Sequence, residues 1–80
     1  MHELTIDVIG WIGSFEVIIA YALISYHKIT AKSLWYQLLN FTGGLFLIVN
    51  TYYYGAYPSA IVNVVWIIIA SGAIFKMLSR

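Results

Sequence analysis

Glu16 is the only ionisable residue set deep inside an apolar segment of this chain. Counted from Ile6 at 1.5 Å per residue, it lies about 15 Å along a helix, close to a bilayer midplane if that helix crosses one. A charged carboxylate in hydrocarbon is costly and seeks partners. Two roles compete for it. It is either a protonated hydrogen-bond donor that fastens helices together, or a group that binds substrate or exchanges a proton during transport. A set of carboxamides accompanies it. Gln37 and Asn40 are spaced i, i+3 on one helical face, and Gly44 continues that face. Asn50 follows, with Thr51 beside it. Ser59, Asn63, Trp66 and Ala70 fall at helical spacings along one stripe.

An amide beside an indole makes a polar, flat-walled surface suited to a polar organic ligand. Asn63 and Trp66 are therefore candidate substrate-binding residues, with Glu16 and Tyr21 as further members of the same site. For Gln37 and Asn40 the plainer role of bridging helices is preferred, worth about 0.6 kcal/mol each. No catalytic set is evident. His2 and His27 stand outside the apolar runs, no Ser/His/Asp arrangement or paired carboxylates occur within them, and no Gly-rich loop follows a strand. The expectation is a protein that is not an enzyme and uses no cofactor. The absence of cysteine excludes disulfides and thiolate metal sites, and two isolated histidines give no metal signature.

The elements that must position these groups follow from composition. The chain has 80 residues, 62% hydrophobic and 9% charged. Soluble domains carry about 25% charged residues, and a globule this small lacks the polar surface to cover such a core. The excess of apolar residues calls for a lipid solvent. A net charge of +1 is too small and dispersed to suggest nucleic acid. Three continuous apolar segments, at about residues 6–26, 34–54 and 58–78, each match the roughly 20 residues a membrane helix needs. A β-barrel would instead show alternating segments of about 10 residues. The first segment follows Glu3 and Asp7 rather than a basic region, so it reads as a mature span and not a signal peptide. Residues 1–80 form a single domain.

The predicted links, His27–Ser33 and Gly55–Tyr57, are short enough to force neighbouring helices antiparallel. Gly55 supplies the helix stop, and Pro58 suits the first turn of the third helix. His27, Lys28 and Lys32 occupy the first link, and Lys76 and Arg80 the C-terminal end. The positive-inside rule then places that link and the C-terminus in the cytoplasm and the N-terminus outside. Tyr52, Tyr53, Tyr54 and Tyr57 cluster at the outer interface, and Tyr26, Trp35 and Tyr36 near the inner one, as an aromatic belt. Small residues that let helices approach closely occur in all three spans: Gly10, Gly13, Ser14, Ala20 and Ala22 in the first, Gly43 and Gly44 in the second, and Ser59, Ala60, Ala70, Ser71, Gly72 and Ala73 in the third. Three helices leave little room for a water-filled path, yet five polar residues need partners away from lipid. A parallel homodimer, with a cavity along its two-fold axis, meets both needs.

Gly43, an apolar run, a Tyr-rich turn, Pro58 and Asn63 follow one another in an order that resembles the SemiSWEET half-transporters of the PQ-loop superfamily. The resemblance extends over nearly the whole chain, through the three spans, the basic first link and the very short second link. It implies an all-α membrane protein, a triple-helix bundle that dimerises in parallel and alternates between inward-open and outward-open states. It also implies that Asn63 faces a sugar pocket. The Pro-Gln pair of that family has no counterpart here, where the first helix ends AYALISYHK. The family's pocket Trp falls at Leu47, or at Phe46 with a one-residue slip. The chain looks equally like small uncharacterised bacterial membrane proteins related to that fold. The expected function is small-solute transport, with sugar uniport as the family's version, in the bacterial inner membrane. The alternative is a non-transporting scaffold or accessory subunit that binds a lipid or another membrane protein. A small multidrug exporter would account for a first-span Glu, but such exporters have four spans.

Overall fold

The computed structural model describes residues 2–79 and is all-helical. Three helices succeed one another: α1 (His2–Ser25), α2 (Leu34–Tyr53) and α3 (Tyr57–Leu78). The ends of α2 and α3 agree with the apolar segments to within a residue. α1 begins four residues before the predicted span. The hydropathy pattern marks where apolar residues begin, whereas a helix can start in polar sequence, and Glu3 in the first turn complements its dipole. Arg80, one of the residues used to orient the chain, lies outside the described residues.

α1 and α2 stop by the same device. At the end of α1, the His27 N–H donates to the Ile24 carbonyl (3.2 Å) and the Lys28 N–H to the Leu23 carbonyl (2.9 Å). At the end of α2, the Gly55 N–H donates to Tyr52 (3.1 Å) and the Ala56 N–H to Thr51 (2.8 Å). This paired closure needs one residue in the left-handed region. Gly55 supplies it at φ 74° and His27 at φ 60°. Glycine takes that conformation freely, whereas a side chain resists it. Pro58 sits in the first turn of α3 as expected.

α2 is the centre of the molecule. α1 packs on it from one side and α3 from another, and α1 and α3 do not pack on each other among the described residues. The predicted bundle is thus open along one side. The interior is also unusual in kind. Its buried side chains are Ala20, Ala60 and Ala70 together with the amides Gln37, Asn40 and Asn63, and no large side chain is fully buried. Large apolar groups point outward instead, among them Trp11, Phe15, Ile18, Ile61 and Ile69. Small residues inside allow close backbone approach, and the large apolar side chains outside are compatible with an apolar surrounding.

Two helices, α1 and α3, are long and apolar enough to cross a membrane. α2 falls short of the apolarity expected for all three segments. It is long enough, but Gln37, Asn40, Asn50 and two threonines dilute its hydropathy. The physical reason is position: the middle helix has neighbours on two sides and can turn its polar groups toward them.

Candidate functional site

α2 meets α1 through glycines. A Cβ on Gly13 would come within 2.9 Å of the Gly43 carbonyl oxygen and of the Phe46 Cβ. A Cβ on Gly43 would reach Val17 at 2.9 Å and the Gly13 carbonyl oxygen at 3.2 Å. The backbones are therefore almost in contact at this crossing. Polar groups on both sides of it are paired. Asn50 Nδ2 donates to the Ile6 carbonyl oxygen at 3.0 Å, packing against Gly10, where only a missing Cβ leaves room. The Tyr54 hydroxyl donates to the Asp7 carboxylate where α1 begins and α2 ends.

Glu16 belongs to this interface. Its Oε2 accepts from the Thr42 hydroxyl at 2.6 Å. Thr42 Oγ1 also lies 2.9 Å from the Leu38 carbonyl oxygen, and its single proton can serve one of the two at a time. Glu16 Oε1 is buried and has no partner among the described residues.

α2 meets α3 differently. Gly44 is again a close approach, but against a side chain: its Cβ would meet Ile67 Cδ1 at 3.0 Å. Asn40 and Asn63 are 5% and 7% exposed. Neither amide has a hydrogen-bond partner among the described residues. Their amide N and O atoms keep some accessible surface; among the described residues the buried side-chain polar atom without a partner is Glu16 Oε1. Beside Asn40 lies a groove of about 470 Å³ lined by Tyr36, Gln37, Asn40, Val62, Trp66 and Ile69, among others. Val62 also borders a smaller hollow with Pro58, Ser59 and Asn63. The groove thus offers two amides, an indole and a phenol over aliphatic walls, the mixture expected where a polar organic molecule is held.

The candidate residues do not form one cluster within a protomer. Trp66 and Asn40 share the groove, and Asn63 is close by, at the hollow next to it. Glu16 lies elsewhere. Its partner Thr42 is two residues from both Asn40 and Gly44, which is about 200° around a helix of 3.6 residues per turn. Glu16 therefore meets the opposite side of α2 from the groove. Tyr21 is 71% exposed on α1 and lines neither hollow. Gln37 does not bridge helices. Its Nε2 donates to the Ala31 carbonyl oxygen at 2.8 Å and ties the first link to α2. Asn50 does bridge helices, as such an amide is expected to.

Two contributors were not singled out from sequence. Thr42 is one, and nothing about a lone Thr in an apolar run marks it as the partner of a Glu 26 residues away. Tyr36 is the other. It was assigned to the interfacial belt, yet it lies i, i+4 from Asn40 and shares its groove, a spacing that was legible. Among the described residues, no group of three His, Cys, Asp or Glu side chains could hold a metal.

One family model matches residues 6–80. No curated protein and no solved structure matches the chain.

Proposed function

We propose that this chain, which belongs to the uncharacterised family matched over residues 6–80, carries a small polar solute across a membrane. The observation that carries the reading is the α2–α3 groove, where the unpartnered amide Asn40 stands with Trp66, next to the hollow that holds the unpartnered Asn63. An amide that has no partner within the protomer and keeps an accessible edge is free to hydrogen-bond a ligand with hydroxyl or carbonyl groups. The outward-facing apolar side chains support a lipid surrounding. So does the 42 Å length of the molecule, comparable to the roughly 40–45 Å of a bilayer with its headgroups.

In this reading all three helices cross, α2 sheltered between its neighbours. The basic link at residues 27–33 and Lys76 face the cytoplasm, and the tyrosines around Gly55 face out. The groove is open along one side, and a second parallel copy placed over it closes a path on the two-fold axis. Alternating access then moves the solute through that path without a dedicated ion. This is the plan that the SemiSWEET resemblance implies, with a sugar as the substrate class it suggests. Trp66 supplies the flat apolar wall from α3, since Leu47 and Phe46 stand where that family carries its pocket Trp. Asn63, Trp66 and Asn40 bind solute, and Glu16 fastens α1 to α2 through Thr42.

The test is uptake of labelled small solutes, sugars first, into proteoliposomes containing the purified chain. Concentration-dependent, saturable uptake that disappears in Trp66→Ala is the expected result. A chain that dimerises but equilibrates no solute, with wild type and Trp66→Ala alike, would favour a scaffold that docks on another membrane protein.

A further inference from the structure

We infer that a second groove, between the start of α2 and the end of α3, is a binding site for an anionic phospholipid. The inference rests on reading the chain as membrane-spanning, and it is independent of the transported solute. The groove measures about 640 Å³. Lys32 and Lys76 line it together with Leu34, Ala73, Met77 and Leu78. The two lysines are far apart in sequence and belong to different elements, the first link and the last turn of α3. Folding alone brings them to one hollow.

Three observations point to an anion there. Neither lysine forms an ion pair among the described residues. All three acidic residues of the chain, Glu3, Asp7 and Glu16, lie in α1, and none lines this groove. Among the described residues, no carboxylate lines the groove to counter the two lysines. Leu34, at the groove, is the first residue of α2, and Ser33 before it makes no side-chain cap. The first-turn N–H groups of α2 are left for an outside acceptor, and the helix dipole favours a negative one. The link is also held in place, because Gln37 Nε2 binds the Ala31 carbonyl oxygen beside Lys32.

Apart from Gln37, whose amide is tied to the Ala31 carbonyl, the rest of the groove is apolar, which selects a lipid over a free anion. A phosphodiester seated between Lys32, Lys76 and the start of α2 would lay its acyl chains inward along Leu34 and Ala73. Lysines at such a site can lay their aliphatic stems on apolar walls and keep their ammonium groups at the rim. Basic hollows between helices at the cytoplasmic side are places where anionic headgroups bind. A zwitterionic headgroup brings its own ammonium and gains less.

The experiment uses the full chain in mixed micelles of phosphatidylglycerol and phosphatidylcholine, with retained lipid counted by native mass spectrometry. Wild type is expected to retain phosphatidylglycerol selectively, with the preference falling about fivefold for each of Lys32→Gln and Lys76→Gln. Inorganic phosphate at equal concentration is expected not to displace it. Equal retention of the two lipids, an unchanged preference in the double variant, or displacement by inorganic phosphate would each overturn the site. The membrane reading is checked separately by alkaline carbonate extraction of vesicles carrying wild type and the double variant. Extraction of both overturns that reading. Resistance of both, with no lipid preference, overturns the lipid site alone.

Discussion

The two interfaces of α2 solve opposite problems. Toward α1 the backbones nearly touch at Gly13 and Gly43, and the amide and hydroxyl groups beside them have partners. Toward α3 a side chain, Ile67, fills the close approach at Gly44, and two amides without partners, Asn40 and Asn63, border open hollows. Paired polar groups between membrane helices stabilise the pairing modestly, whereas unpaired ones represent binding capacity. The difference underlies the proposal that α1–α2 is the structural interface and α2–α3 the solute-binding one. Glu16, the most conspicuous residue in the sequence, falls outside the groove: it serves the α1–α2 interface through Oε2 and Thr42, where its Oε1 is buried without a partner among the described residues.

The sharpest way to break this comparison is to separate α1 from α2. Gly13→Leu places a branched side chain where even a Cβ meets the Gly43 carbonyl and the Phe46 Cβ. Neither the helix backbone nor the base of a side chain can swing aside. The cost is at the upper end of overpacking penalties, about 3 kcal/mol. The expected result is a lower midpoint in a denaturing-detergent titration followed by circular dichroism, and loss of uptake with it. A midpoint equal to wild type would mean that the α1–α2 crossing is looser than described.

Asn63→Ala tests the other interface and should separate function from stability. The Asn63 amide has no partner to lose, so the unfolding midpoint should stay within about 0.5 kcal/mol of wild type. Uptake should fall about tenfold or more, the scale on which a hydrogen bond to a neutral polar ligand is lost. A large loss of stability with uptake preserved would reverse the roles assigned to the two faces of α2. Asn50→Leu is the mirror experiment. It removes the bond to the Ile6 carbonyl, worth about 0.6 kcal/mol, and should lower the midpoint slightly with the solute affinity unchanged.

The helices and their limits were largely legible in the sequence. Pro58, Gly55 and the break at residues 27–33 mark local events that a few residues decide among themselves. The start of α1 was not, because His2–Thr5 extend the helix without an apolar signal. The candidate site was legible in part. Asn63 and Trp66 fall on one stripe by spacing alone, and Asn40 joins them across the interface. Glu16 and Tyr21 were grouped with them by depth in the membrane, which spacing can supply, but their direction depends on how α2 is rotated against each neighbour. That rotation is set where glycines allow backbones to meet, a tertiary property that no single segment encodes. His27 is a similar case: its left-handed conformation follows from the closure of α1, and its side chain gives no hint of it.

Glu16→Gln sharpens the comparison with a smaller effect. The carboxamide keeps an oxygen to accept from Thr42 Oγ1 and adds a donor, while removing the only ionisable group buried at this depth. If Glu16 is solely a fastener on the far side of α2, the variant should transport at a rate within about twofold of wild type, with an unchanged pH profile. Uptake measured between pH 5 and pH 8 in both proteins decides the matter. A profile that flattens in Glu16→Gln would bring this carboxylate back into the transport cycle. It would also require that α1 turn relative to α2 during that cycle, because in the described arrangement Thr42 and the groove residue Asn40 stand on opposite faces of one helix.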